Sequence, residues 1–275
     1  MCMNNVRIHP LTWLFGAAAA ATGLFLEAIC IGLILLIHEL GHAGAAKAMG
    51  WRIQKVEMLP FGGKMETDEH AGRPLLEEWL VVLAGPFMHI PMLIISFLFL
   101  KAGWMDAALY ELFFELNAVI FLFNLLPVLP LDGGKMLQLI LCAIQPYFRA
   151  YRQSIFLSFA ALLLIMGTAV ITLPFYLQLL LTVSYIAVQL LVMWKEKEVM
   201  FIRFLTARFY DPMSMRLLYL SLLETDRLLD AVRSFRRNRT HRFQVNRHGE
   251  LTEEQLLQSF FEGKKDVQDM FENID

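Results

Sequence analysis

Long apolar stretches return six times in this chain, and no other feature narrows its possible folds so far. They run from about Leu11 to Leu26, Glu27 to Met49, Trp79 to Leu100, Ala108 to Leu131, Ile155 to Leu173 and Phe175 to Trp194. Each comes near the ~20 residues that an α-helix needs to cross a bilayer core. A backbone in lipid must satisfy its own hydrogen bonds, so such stretches fold as helices. The chain is 57% hydrophobic and 18% charged, which is too apolar for an ordinary soluble domain. Of its 24 Lys and Arg, 14 fall in the last 81 residues, as do 14 of its 26 Asp and Glu. The sequence predicts an α-helical polytopic membrane domain of six spans over 1–194 and a small soluble α/β domain over 195–275.

Basic residues in the loops give the expected orientation. One set of connections holds Arg7, Lys47, Arg52, Lys55, Lys64, Arg73, Lys135, Arg149 and Arg152, and the opposite set only Lys101. Both termini, and the ends of the second and fourth spans, are expected on the cytoplasmic side. The N-terminus MCMNNVRIHP lacks the small-residue cleavage site of a signal peptide. Cys2, Cys30 and Cys142 have no paired spacing and fit a reducing compartment rather than a disulfide framework. A net charge of −2 gives no ground for nucleic-acid binding.

The second stretch ends in His38-Glu39-Leu40-Gly41-His42. Residues four apart share a helix face, so His38 and His42 can reach one Zn²⁺. Glu39 lies about 100° further round, placed as a general base. A catalytic zinc takes three protein ligands and keeps one position open, so a third ligand is needed. Asp132 is the only acid between Glu115 and Glu196. It closes the fourth stretch in Asn124-Leu-Leu-Pro-Val-Leu-Pro-Leu-Asp132-Gly-Gly, on the side where the His pair lies. Alone it reads as a solvated turn residue, and paired with His38 and His42 it reads as the third ligand. Asn124 and Pro130 are candidate substrate contacts. An interhelical hydrogen bond is an equal reading for Asn124, and the two prolines also serve to end the helix.

Between the second and third stretches, Arg52 to Met58 alternates in strand fashion, Pro60-Phe61-Gly62-Gly63 is a turn, and Lys64 to Glu66 can pair back as a hairpin. It is either a plain connector or a sheet edge at the membrane surface that receives an extended peptide. Gly85 and Pro86 predict close packing or a kink against the metal helix. His89 reads as a supporting or packing residue rather than a ligand, and His9, His70, His241 and His248 as ordinary histidines. In the tail, Leu228 to Phe235 reads as an amphipathic helix, His241 to Val245 as a strand, Arg247 to Glu250 as a turn, and Leu251 to Phe261 as a helix capped by Thr252.

The pair H-E-L-G-H and N-L-L-P-V-L-P-L-D-G-G resembles the site-2 protease family of intramembrane zinc metalloproteases, over the first 194 residues. The resemblance implies one Zn²⁺ on His38, His42 and Asp132, Glu39 as base, and cleavage of membrane-associated proteins. Leu59 to Gly63, Ala84 to Pro86 and the helix-strand-turn-helix of Leu228 to Phe261 are most like the sporulation members of that family. That likeness implies the precursor of sigma factor K as substrate, in the mother-cell membrane around the forespore. It also implies a CBS-like regulatory tail with ATP as its ligand, and two inhibitory membrane partners, sporulation protein FA and bypass-of-forespore protein A. CBS nucleotide sites often carry an acid three residues after a Thr or Ser, where this chain has Gln255 after Thr252. One CBS-like copy is visible, so a two-copy module requires a second chain, and a homo-oligomer is an expectation. Two other readings are a transporter using the same ligands for metal transit and a catalytically dead scaffold. A transporter wants ionisable groups along several spans, whereas here they gather at one depth.

Overall fold

The computed structural model describes residues 6–8, 21–59, 62–67, 72–172, 177–210, 216–245 and 249–271. Two compact units emerge. One comprises residues 1–69, 76–136 and 173–184, and the other 70–75, 137–172 and 185–275.

The first unit is built on helix α1, Phe25–Ala48. Its 24 residues span about 36 Å, enough for the ~30 Å of a hydrocarbon core. Helices α2 (Leu75–Phe87), α3 (His89–Lys101) and α4 (Ala107–Asn124) follow. Cys30 and Ile34 of α1 pack with Met92 of α3 and Phe113 of α4, while Ala46 packs with Trp51 and Val81. Outward faces stay apolar, with Ile29, Leu80, Ile90, Ile94, Val119 and Leu122 all about half exposed or more. A water-soluble helix would place polar residues there, so these faces suit lipid.

Four stretches are long and apolar enough to cross a membrane among the described residues: Phe25–Ala48, Leu75–Lys101, Ala107–Asn124 and Tyr147–Ala169. They correspond to the second to fifth spans expected from sequence. Most of the first lies outside the described residues. The third is two helices rather than one. Pro86 has no N–H for the helix ladder, Met88 N–H turns back to the Gly85 carbonyl at 3.0 Å, and α3 begins anew at His89.

Strands β1 (Val6–Ile8), β2 (Ile53–Leu59) and β3 (Gly62–Thr67) form a sheet in that order. The expected hairpin is the antiparallel pair β2–β3, with Val56 opposite Met65; residues 60 and 61 of its turn lie outside the described residues. The parallel partner β1 was not legible, because three residues carry no periodicity.

Helix α5, Asp132–Ile144, starts in the first unit and continues into the second. The second unit also holds α6 (Tyr147–Thr172) and most of α7 (Leu177–Tyr210). The 34 residues of α7 give about 51 Å, well beyond a bilayer core. The sixth expected span falls on its first half. Beyond it come β4 (Arg216–Leu222), α8 (Leu228–Arg233), β5 (Arg239–Val245), β6 (Gly249–Thr252) and α9 (Glu253–Phe261). β4 and β5 pair in parallel across α8, and β5 and β6 form an antiparallel hairpin. The tail thus has the order β-α-β-β-α. Leu228, Val232, Phe235, Phe243, Leu256 and Leu257 form its core at 1% exposure or less. β4 escaped the sequence reading because Arg216-Leu-Leu-Tyr-Leu-Ser-Leu222 reads equally well as a helix.

Thr252 caps α9 through its hydroxyl, which accepts the Gln255 N–H, and the Gln255 side chain accepts the Thr252 N–H at 2.9 Å. Gln255 is therefore the third helical residue of a capping box, which accounts for an amide there. His241, read as ordinary, is wholly buried. It stacks on Phe235 at 4.9 Å and 9°. Its Nδ1 lies 3.0 Å from Glu253 Oε2, while its Nε2 accepts the Arg236 N–H at 3.0 Å. That acceptor role fixes the neutral tautomer with the proton on Nδ1. Arg208 Nη1 completes the cluster, 3.0 Å from Glu253 Oε1.

Candidate metal centre

Helix α1 presents His38 and His42 one turn apart, buried at 2% and 5% exposure. Asp132, buried at 3%, comes from the first residue of α5. It arrives there because α4 ends at Asn124 and the chain folds tightly back. Leu131 N–H bonds to the Val128 carbonyl at 2.9 Å, and Lys135 N–H to the Leu131 carbonyl at 3.0 Å. Gly133 and Gly134 allow this turn. A Cβ on Gly133 would overlap the Leu125 carbonyl, and one on Gly134 the backbone of Val128 and Leu129. Two glycines after the acid are a steric requirement of the turn that aims it.

Three donor atoms converge. His38 Nε2 lies 3.0 Å from Asp132 Oδ2, His42 Nε2 lies 3.1 Å from the same oxygen, and the two Nε2 atoms are 3.1 Å apart. A tetrahedral zinc with bonds of 2.0–2.1 Å separates its ligands by about 3.3 Å, so this nearly equilateral face fits one zinc ion. His38, His42 and Asp132 form the one such ligand cluster among the described residues.

The outer nitrogens are also held. His42 Nδ1 donates to the Val81 carbonyl at 2.7 Å, leaving Nε2 as the free donor. His38 Nδ1 meets His89 Nε2 at 3.0 Å, and His89 Nδ1 meets Asn117 Oδ1 at 2.8 Å. Asn117 Oδ1 can only accept, so neutral His89 carries its proton on Nδ1 and its Nε2 accepts from His38 Nδ1, which frees His38 Nε2 as a lone-pair donor. Such partners orient ligand rings and raise their basicity. His89, expected in a supporting or packing role, hydrogen-bonds a member of the cluster directly. Asp132 divides its oxygens, with Oδ2 facing the histidines and Oδ1 accepting from Lys135 Nζ at 3.0 Å. Glu39 is buried at 8%.

Asn124 is buried and donates to the Ile120 carbonyl of its own helix at 3.0 Å. Pro130 is exposed, after a cis peptide bond. Neither joins the donor triangle. Sequence reasoning missed Asn117, the Val81 carbonyl and Lys135. Lys135 left a signal, since a Lys three residues after an Asp shares its helix face. Asn117 left a weaker one, as a polar residue within an apolar span. The Val81 carbonyl left none.

A membrane-embedded helical fold with a buried His-His-Asp triangle defines a class, the intramembrane zinc metalloproteases. The chain belongs to peptidase family M50, whose profile matches residues 26–105 and 100–167. It is 32% identical over 267 residues to stage IV sporulation protein FB of Bacillus subtilis, covering 95% of this chain and 93% of that protein. A zinc metalloprotease of Methanocaldococcus jannaschii is 30% identical over 144 residues, covering 50% of this chain and 42% of the relative. In fold, the site-2 protease from Methanocaldococcus jannaschii superposes with a TM-score of 0.53 at 23% identity, over 68% of this chain and 89% of that one. The protein is a zinc metalloprotease, which removes the transporter and dead-scaffold readings.

Proposed function

We propose that the chain cuts membrane-associated proteins at this centre, with His38 Nε2, His42 Nε2 and Asp132 Oδ2 holding zinc and Glu39 as the base. The observation that carries the reading is the donor triangle, with edges of 3.0–3.1 Å and all three side chains buried. Zinc, when bound, supplies Lewis acidity toward water and the scissile carbonyl. Glu39 takes a proton from the attacking water as the C–O bond forms, then delivers it to the amide nitrogen as the C–N bond breaks. The outer hydrogen bonds to Val81 and His89 keep both imidazoles in the tautomer that leaves Nε2 free.

The finer reading rests on likeness along nearly the whole chain to a sporulation protein. It makes the precursor of sigma factor K the substrate. It places both termini in the cytoplasm and adds two small inhibitory membrane partners. Asn124 and Pro130 are then substrate contacts beside the turn that carries Asp132. The tail, from about residue 195, is a regulatory domain; its β-α-β-β-α order supports a CBS-like reading, and ATP as its ligand rests on the family resemblance alone.

The test is co-expression of the chain with that precursor, in wild-type form and as Glu39→Gln. The variant should keep zinc and lose about 10²–10⁴-fold in cleavage rate. Wild-type cleavage by the variant would remove Glu39 from the base role. Cleavage of other membrane-tethered proteins but not this precursor would leave the chemistry standing and remove the sporulation substrate.

A further inference from the structure

The second unit holds a cleft of about 580 Å³ that the protease chemistry does not use. It lies between the start of α6 and Trp194 of α7, two ends that the sequence predicts on one side of a membrane. Arg149, Arg152 and Arg233 line it, with Asp230 as the one acid in its wall. The Arg152 guanidinium lies 5.8 Å from the Phe148 ring and 5.9 Å from the Trp194 ring, held between two aromatic faces. Arg233 sits 4.6 Å over Phe148 and 3.5 Å from Glu198. Arg149 and Arg152 are exposed, and among the described residues no acid lies within ion-pair distance of either. The Arg233 Nε is buried and makes no hydrogen bond in this structure. Three arginines stand against Asp230 and Glu198, an excess of one positive charge. Arg152 and Arg233 are pre-oriented on rings, Arg233 also has the orphaned Nε, and the set is suited to a phosphate.

The flank of the cleft indicates the source of that phosphate. Phe156 lines it too and is 70% exposed, one to two turns deeper into the α6 span than Arg152 and Arg149. Trp194 stands at the end of the α7 apolar stretch, where amphipathic aromatic rings settle at headgroup level. A free phosphate would use the arginines alone. A phospholipid would use both, with its phosphate on Arg149, Arg152 and Arg233 and its first acyl carbons along Phe156. Basic pockets between membrane helices on the cytoplasmic side bind acidic headgroups in this manner. We infer that this cleft is a binding site for one acidic phospholipid.

Native mass spectrometry of the full-length protein, taken from bilayers of equal parts phosphatidylglycerol and phosphatidylcholine, tests this. Wild type should retain phosphatidylglycerol over phosphatidylcholine. Arg149→Gln and Arg152→Gln should each weaken that retention about fivefold. Both side chains are exposed, and zinc content confirms folding of each variant. Phe156→Ser, at another exposed position, should also release the lipid. Equal retention of the two lipids by wild type, or unchanged phosphatidylglycerol in the double arginine variant, would overturn the inference. Glycerol phosphate in the millimolar range should fail to displace the lipid. If it displaces the lipid and Phe156→Ser has no effect, the cleft takes free phosphate and the lipid assignment is wrong.

Discussion

Gly85 lies against His42 with no room between them for a Cβ. An added methyl would overlap the His42 ring and come within 2.8 Å of His38 Nε2. The α2 backbone thus forms one wall of the donor triangle, and hydrogen is the largest substituent that fits. Gly85→Ala is expected to lose most bound zinc and all measurable cleavage. The overpacking should cost about 1–3 kcal/mol of stability. Zinc by atomic absorption on folded protein checks it, and full zinc occupancy in the variant would show that α2 does not wall the site.

Removing His89 should loosen His38 while leaving all three side chains of the donor triangle in place. His89→Ala is expected to lower zinc affinity about 10–100-fold and to reduce cleavage only as far as zinc is lost. Saturating zinc should then restore most activity, which it would not do for Asp132→Ala. Chelator titrations on both variants separate the two cases. Asn117→Leu should act in the same direction more weakly, since His89 keeps its bond to His38.

Lys135 bonds the oxygen of Asp132 that the histidines do not use. Lys135→Met leaves Oδ1 without its charged donor, a loss of about 1.5–3 kcal/mol for a charge-assisted bond. Zinc content should fall, and Lys135→Arg should recover part of it. Equal zinc in wild type and Lys135→Met would show that the pair does not steer Asp132.

The tail should weaken in acid, and the signs of two groups agree. Burial pushes the His241 imidazole below its ordinary value, with Arg208 and Arg236 adding to this against the opposing pull of Glu253. Burial would raise Glu253, but the His241 hydrogen bond and the Arg208 charge hold its carboxyl below the ordinary range. For each, the unfolded chain binds the proton more readily. Their stabilisation is complete above the unfolded values of 6.5 and 4.5 and is lost as pH falls through the lower folded values. Hydrogen exchange of the β4–β6 amides between pH 7 and pH 4, corrected for intrinsic exchange rates, should show protection falling. Glu253→Gln should flatten the lower part of that dependence, and an unchanged profile would remove Glu253 from the account.

Local spacing carried the site's donors, and tertiary placement carried their supports. His38 and His42 were legible because one helical turn fixes their relation, and Asp132 because it is a lone acid closing an apolar span. Asn117 and the Val81 carbonyl were not, since Asn117 of α4 meets His89 of α3, and Val81 of α2 meets His42 of α1, only after those helices have packed. The break at Met88 was signalled by Pro86, though not that it would divide the span into two helices. In the tail, α8, β5 and α9 were readable from pattern and cap. β4 was not, because an apolar run of its length has no period that separates strand from helix.

The three-residue spacing of Asp132 and Lys135 also bears on how the chain enters a membrane. Asp132 is 3% exposed, and a bare carboxylate carried into that environment would be costly, whereas Lys135 retains 40% exposure of its side chain. Because the two sit on one turn of one helix, the acid has its countercharge before any other helix has docked and before metal is present. Biogenesis and metal loading are thereby expected to be separable events. Chains made under zinc starvation should reach the membrane at normal yield and gain activity when zinc is added afterwards, whereas Lys135→Met chains should insert poorly whatever the zinc supply.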